Sequence, residues 1–258
     1  MTDHWKSRYY WIMTCNAPRL LLLSLLLLAA GQPVAAPFPD FEVHYNLQYE
    51  NMRVGEAVYR LQRQNGAFLY ESRSRPVGIA AWFRKDRVEE RSLWTWREER
   101  IRPDQYRYQR TGGRSDRNAE LTFDWEALRV ENRVAGHPWE MDIPPDALDK
   151  MVVTLVLMRD LAMGRRDVEY AIADGGSLKT YRFKVVGEET VETPAGTFDT
   201  LKLERLREDN TRYTALWCAP ELNYLPVKLL QRESDDRLVT SELRSVTDSL
   251  RKSPAPDH

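Results

Sequence analysis

The sequence predicts a mainly β protein, a curved antiparallel sheet or barrel-like fold with one buried α-helix. Long stretches on both sides of residues 146–163 alternate apolar and polar residues with period two, which is typical of strands with one buried face. Turn signals separate these stretches, and Asn65-Gly66 is the strongest hairpin signal among them. Residues 146–163 instead repeat apolar residues at helical spacing.

The first 36 residues are typical of a secretory signal peptide. Arg19 precedes a leucine-rich run from Leu20 to Ala30, and small residues ending at Ala36 follow. The run is shorter than the ~20 residues of a membrane-spanning helix. Pro37 disfavours cleavage directly after Ala36, so the cleavage site stays open, as does the choice of Met1 or Met13 as the start. An uncleaved N-terminal anchor is the alternative.

The remaining chain is predicted to form a single β-rich domain, 37–248, followed by a disordered tail, 249–258. Its first half predicts a meander of strands from Phe41 onward. Residues 78–85 are continuously apolar up to a basic end, and they fit either a strand or a short helical turn. Residues 136–138, Gly-His-Pro, break the pattern.

One helix is predicted, over residues 146–163. Leu148, Met151, Leu155, Met158 and Leu161 share a face, prolines precede the segment and Gly164 follows it. Because most of its circumference is apolar, we expect it to be buried against the sheet. Lining of a ligand cavity by this helix is the alternative.

The second half predicts four strands between Tyr181 and Leu230, joined by tight turns. The motifs in this region run from a D-G-G turn at Asp174 through V-x-G-E-E-x-V-x-T-P-A-G-T-F to W-x-x-P-E-L-x-Y-L-P-V-K. Together with the helix they resemble the DUF3108 family of exported bacterial proteins of unknown function. The residues that carry the resemblance are Asp149, Arg159, Gly164, Gly187, Glu188, Thr193, Gly196, Phe198, Trp217, Pro220, Tyr224, Leu225 and Pro226.

The resemblance implies an envelope location and a curved or barrel-like sheet, and it brings no catalytic residues. Turn glycines, prolines and large aromatics mostly specify a fold, so we interpret these motif residues as structural.

Composition argues against several functions. Without the leader the net charge is near −3, which favours no nucleic-acid partner. Cys218 is the single cysteine of this part, so no internal disulfide is possible, and a buried, inert thiol is expected. His44 and His137 show no metal-site spacing, and no nucleophile or phosphate-loop motif occurs. We therefore expect no metal, no cofactor and no enzymatic activity, although a carboxylate-based hydrolase stays a distant third hypothesis.

One region suggests binding. Between Arg73 and Arg117 many arginines alternate with aromatic residues, and such side chains recognise anionic groups, sugars and acyl chains. A salt-bridged outer sheet surface is the competing interpretation. The candidate ligand-binding residues of this strip are Arg84, Arg91, Trp94, Trp96, Arg107 and Tyr108.

We expect a periplasmic protein that is not an integral membrane protein once the signal peptide has been cleaved. Two hypotheses follow for its function. The first is a protein that binds a lipid, acyl chain or anionic envelope glycan in or on the curved sheet. The second is a structural or assembly factor that contacts another envelope protein. Crosslinking in cells distinguishes them, since a recurrent protein partner without a small ligand supports the second. The most informative structural observation is whether the concave side of the sheet is hollow or filled by the helix.

Overall fold

The computed structural model describes residues 37–134, 137–207, 212–232 and 236–251. The predicted leader, 1–36, and residues 252–258 of the predicted tail lie outside these ranges. Within them, fifteen strands, numbered in chain order with the bounds given in the next two paragraphs, form one sheet in the order β8-β7-β6-β5-β4-β3-β2-β1-β15-β14-β13-β12-β11-β10-β9. The predicted mainly β fold with a curved antiparallel sheet is confirmed.

The first half of the sheet is a meander of antiparallel strands. Its strands are β1 Phe41–Tyr49, β2 Met52–Gln64, β3 Ala67–Pro76, β4 Arg87–Arg97, β5 Arg100–Thr111, β6 Arg117–Asp124, β7 Arg129–Val134 and β8 His137–Asp142. Asn65 and Gly66 both have positive φ in the β2–β3 turn, as a tight hairpin requires. Helix α1, Ala80–Phe83, lies between β3 and β4, so the helical alternative for residues 78–85 is the one that occurs.

In the described ranges, the second half of the chain contains one α-helix and the remaining seven strands of the sheet. Its elements are β9 Leu148–Asp149, α2 Val152–Ala162, β10 Asp167–Asp174, β11 Ser177–Thr193, β12 Gly196–Leu206, β13 Tyr213–Ala219, β14 Leu225–Arg232 and β15 Leu238–Val246. Short 3₁₀ helices cover Pro220–Leu222 and Asp248–Leu250. Strand β15 pairs with β1, which joins the two halves edge to edge. Within the described ranges, no helix has the length and apolar character that crossing a bilayer requires.

The inner face of the sheet and α2 form the core. Phe41, Val43 and Tyr45 of β1 point inward, as the alternation predicted, and His44 lies on the outer face between Glu42 and Arg244. Leu155 and Met158 of α2 are almost completely buried. The helix therefore fills much of the concave side, and the predicted burial of this segment is confirmed.

The ends of the sheet approach each other. Asp149 of β9 accepts a hydrogen bond from Ser92 Oγ of β4 at 2.5 Å. Gly176, in the β10–β11 turn, lies against β7 and β8. A Cβ at this position would be 2.7 Å from the Trp139 ring of β8 and 2.9 Å from the side-chain Nδ2 of Asn132 in β7. These contacts curl the sheet into a barrel-like shape.

Three local predictions were wrong. Helix α2 begins at Val152 and not at residue 146, because Leu148 and Asp149 pair with Ile172 and Ala173 of β10 as a short parallel bridge. Strand β8 contains Pro138, which a strand at the edge of a sheet tolerates. The fold extends to Leu250, which is buried and whose carbonyl accepts a hydrogen bond from Asn223 Nδ2 at 2.9 Å.

Candidate ligand site at the mouth of the sheet

The aromatic members of the predicted strip lie on the inner face of the sheet. Trp94 is fully buried and stacks on Phe68 with the ring centroids 4.2 Å apart. Tyr108 lies beneath the Lys150 ammonium, 5.1 Å from its ring centroid. Trp96 is partly buried, and the Arg159 guanidinium lies 4.9 Å above its ring.

The arginines of the strip lie elsewhere. Arg91 and Arg107 are register partners on the outer face of β4 and β5. Arg91 pairs with Glu71 at 2.9 Å, and Arg107 pairs with Glu120 at 2.9 Å. Arg84 is exposed just after α1. The six residues therefore form no common surface, because neighbouring residues of a strand point to opposite faces.

A largely apolar space lies at one end of the sheet, here called the mouth. It is a cavity of about 580 Å³ bounded on one side by residues 77–86, which connect β3 to β4 and are called the mouth loop. Its apolar lining comes from β1, β2, β3, β4, β15 and α1. These residues are Leu47, Tyr49, Val54, Pro76, Ala80, Phe83, Val88 and Val239.

A smaller cavity of about 100 Å³ adjoins the mouth cavity, and Leu47 lines both. Tyr45, Tyr59 and Tyr70 form one of its walls. Tyr45 Oη donates to the Pro226 carbonyl at 2.8 Å, so that hydroxyl is satisfied by the fold. Burial raises the pKa of Tyr59 to about 12, which keeps its phenol neutral.

Thr154 of α2 also lines the small cavity, so the helix closes its inner side. Beyond this point the core contains Leu155, Leu157 and Met158, all fully buried. Space for a ligand in this part of the molecule is therefore confined to the mouth and the tyrosine wall behind it.

Charged groups surround the apolar lining of the mouth. Arg75 pairs with Glu56 at 2.7 Å, and its hydrogen bond lowers the pKa of that carboxyl group, so Glu56 is held ionised. Arg84 also lines the cavity and forms no ion pair within the described part of the chain. Its guanidinium is thus available to a carboxylate or phosphate at the mouth.

A second open cleft, about 590 Å³, lies at the opposite end of the sheet and contains carboxylates. Asp160 accepts from Tyr170 Oη at 2.8 Å and pairs with Arg165 at 3.2 Å. Asp167 is held by two hydrogen bonds from Arg182, which lower its pKa. Both carboxylates are thus engaged by neighbouring side chains of the fold.

Two further residues with reactive or titratable side chains, Cys218 and Asp149, are buried in the core. Cys218 is fully buried, and burial raises the pKa of its thiol. Asp149 is fully buried and accepts from Ser92 and from the amides of Met151 and Val152. Among the described residues no group of three or more His, Cys, Asp or Glu side chains is arranged to hold a metal ion.

The motif residues mostly have visible structural contacts. Gly196 has φ +133, Phe198 is buried beside it, and the Thr193 hydroxyl donates to the Gly196 carbonyl. Trp217 Nε1 donates to Glu189 at 2.7 Å.

The sequence pattern did not single out the mouth residues. Leu47, Tyr49 and Val239 are ordinary alternating positions of their strands. The apolar-to-basic run 79–85 was the visible signal in this region, and it lies in the mouth loop.

These features define a barrel-like β protein whose core is filled by one helix and whose cavity opens at one end. The profile of the family described as "Protein of unknown function (DUF3108)" matches residues 40–243, so the chain belongs to this family. No curated protein matches the sequence significantly.

A solved structure shares this kind of fold. A beta-barrel-like protein of domain of unknown function DUF1849 from Brucella abortus superposes with a TM-score of 0.52 at 7% identity, covering 82% of this chain and 98% of that one. Two further similarities are weaker. A candidate lipoprotein from Parabacteroides distasonis gives a TM-score of 0.32 at 10% identity, covering 84% and 100%. A candidate exported protein with a YmcC-like fold from Bacteroides fragilis gives 0.32 at 14%, covering 81% and 98%.

Proposed function

We propose that the protein is a non-enzymatic periplasmic protein that holds an acyl chain, as a fatty acid or as part of a lipid, in the mouth cavity. The observation that carries the proposal is the cavity itself, about 580 Å³ with a mainly apolar lining. Small-molecule sites usually have volumes of roughly 300–1,000 Å³ and the same mixture of apolar walls and few polar groups. The sequence of residues 1–36, which is typical of an export signal, supports the location.

The lining favours an acyl chain over a glycan. A sugar needs several hydrogen-bonding side chains around its hydroxyls. Polar side chains also line the cavity, among them Gln48, Ser74 and Asp86, but most of its wall is apolar. Leu47, Val88 and Val239 offer only apolar contact. Arg84 at the cavity edge supplies a cation for a carboxylate or phosphate headgroup. The aliphatic tail then lies against the apolar wall and points toward the tyrosines.

A displacement assay tests this proposal. A fluorescent fatty acid is bound to the purified protein and displaced with unlabelled palmitate, and the assay is repeated with Val239→Trp, which fills the cavity from β15. We expect Val239→Trp to weaken binding about tenfold or more, as the loss of a few apolar contacts implies.

The control is Thr240→Trp, which places the same side chain at the adjacent position, on the opposite face of β15. It should leave the affinity unchanged. Absence of fatty-acid uptake by the unaltered protein, or equal effects of the two variants, would show that the cavity is not an acyl site.

The second candidate is an assembly factor that contacts another envelope protein. It is favoured by β8, which ends the sheet and pairs only with β7 in the described part of the chain, so its outer edge is open to strand addition. Site-specific crosslinking from β8 in cells would give a recurrent protein adduct under this hypothesis and none under the first.

A further inference from the structure

The mouth loop exposes large apolar side chains. Ile79, Trp82 and Phe83 are 79%, 83% and 82% exposed, although residues of this type normally lie in the core. Met52, the first residue of β2 and 64% exposed, lies at the same end of the sheet. Exposed apolar residues grouped in this way mark a surface that another apolar phase covers.

Basic side chains follow directly in the chain. Arg84, Lys85 and Arg87 are exposed, and none of them forms an ion pair with a described residue. Asp86 is the one acid between them. Arg91 and Arg107, by contrast, are both paired with glutamates of the sheet.

The loop is held in place by its backbone. Val77 N donates to the Val54 carbonyl at 3.0 Å, and Arg84 N donates to the Ala80 carbonyl at 2.8 Å. The Lys85 carbonyl packs against Gly112 so closely that a Cβ there would overlap it. The exposed apolar residues are therefore presented on a supported turn.

We propose that the mouth loop docks on the surface of a membrane that contains anionic lipids, with Ile79 and Trp82 inserted at the headgroup level. Tryptophan and phenylalanine on an otherwise polar surface favour the membrane interface. The cations beside them match the negative charge of the headgroups. Phe83 lines the mouth cavity while Ile79 and Trp82 do not, so the loop has one residue toward the cavity and two free for the bilayer.

The inference deepens the proposed function and rests on it for one point, namely that the docked membrane is the source or destination of the acyl chain. The cavity opens beneath the same loop that would contact the lipid. A lipid could then move between bilayer and cavity without its chain crossing water.

The test is sedimentation with large unilamellar vesicles, using the exported protein as cells process it. Vesicles of phosphatidylglycerol and phosphatidylethanolamine are compared with vesicles of phosphatidylcholine alone. We expect binding to the anionic vesicles, and a reduction of about tenfold or more in the double variants Ile79→Ser/Trp82→Ser and Lys85→Glu/Arg87→Glu. The matched control is Leu128→Ser/Met163→Ser, two exposed apolar residues at the opposite end of the sheet, which should bind as the unaltered protein does.

Each outcome decides the proposal. The proposal is overturned by any of three results: no vesicle binding, equal binding to both vesicle types, or equal effects of the loop and control variants. Crosslinking of Trp82 to a protein in place of lipid would also overturn it and would assign the loop to a protein partner. Fatty-acid displacement is measured on the same variants. If a loop variant loses vesicle binding but displacement of the fatty acid stays normal, membrane docking and acyl binding use separate surfaces. If the unaltered protein binds vesicles but shows no fatty-acid displacement, the proposed function fails and the docking surface stands.

Discussion

Asp149 shows how a single motif residue serves the fold. Its carboxylate accepts from Met151 N at 2.7 Å and Val152 N at 3.0 Å, and so satisfies amides at the start of α2. It also accepts from Ser92 of β4. One side chain thus joins the start of the helix to the opposite wall of the sheet, which explains its burial without any ligand.

The burial of Asp149 predicts a pH dependence of stability. Burial raises its pKa from 3.8 to about 6, against the opposing effect of its three hydrogen bonds. Because the folded-state pKa is above the unfolded one, the contribution of Asp149 to the free energy of unfolding is full below pH 3.8 and is lost as the pH rises through about 6.

The variant Asp149→Asn removes this titration while keeping an oxygen for the two amides. We expect the stability of the unaltered protein relative to the variant to fall by about 2–3 kcal/mol between pH 4 and 7, since one pKa unit corresponds to ~1.4 kcal/mol. Denaturant unfolding across this range is the measurement. A constant difference between the two proteins would contradict the assignment.

Among the larger elements, the mouth loop depends on a glycine in another loop. Gly112, in the β5–β6 connection, has φ +80 and lies against the Lys85 carbonyl. Gly66, in the β2–β3 turn, has φ +83 and no atom within 4 Å of the position that a Cβ would take. A side chain at either position would carry the backbone strain of a positive φ. Only at Gly112 would its Cβ also overlap a neighbouring backbone carbonyl, that of Lys85.

We therefore expect Gly112→Ala to destabilise the protein more than Gly66→Ala does. The strain costs each variant about 1–2 kcal/mol, and overpacking against the carbonyl adds roughly 1–3 kcal/mol at Gly112. Unfolding free energies give the comparison, and hydrogen exchange of residues 77–86 should increase only in Gly112→Ala. Equal losses would mean that the loop moves away from Gly112 without cost.

At the scale of the whole domain, α2 forms the layer that packs against the sheet to complete the core. The inner face of a curved sheet needs apolar cover, and the helix supplies it from the concave side. Met158 is 1% exposed in this packing, whereas Met163, just after the helix ends, is 47% exposed. The same residue type therefore occurs in both environments within one segment.

Met158→Ala should lower the free energy of unfolding by about 2–5 kcal/mol, because it removes contacts and leaves a cavity. Met163→Ala should change it by roughly 0.5 kcal/mol or less. Chemical denaturation of the two variants tests whether α2 is the centre of the core. Similar effects would show that the helix is only loosely held by the sheet.

The secondary structure of most of the chain could be predicted from the sequence, because alternation and turn residues act over a few positions. The Asn65-Gly66 hairpin, the strands of 181–230 and the apolar helix are all local patterns of this kind. The parallel bridge at Leu148 and Asp149 could not be predicted, since it depends on Ile172 and Ala173, which are distant in the chain. Strand β8 pairs with the strand directly before it, but Pro138 within β8 obscured the strand pattern.

The location of the candidate ligand site became visible only in the folded chain. Alternation places Trp94 and Arg91 on opposite faces of β4, so a strip that is continuous in sequence is divided in space. The helix fills the concave side, and the mouth cavity lies where the curved sheet ends beneath residues 77–86. Periodicity shows which residues face inward, but the volume left between them depends on how the sheet curls and what fills it.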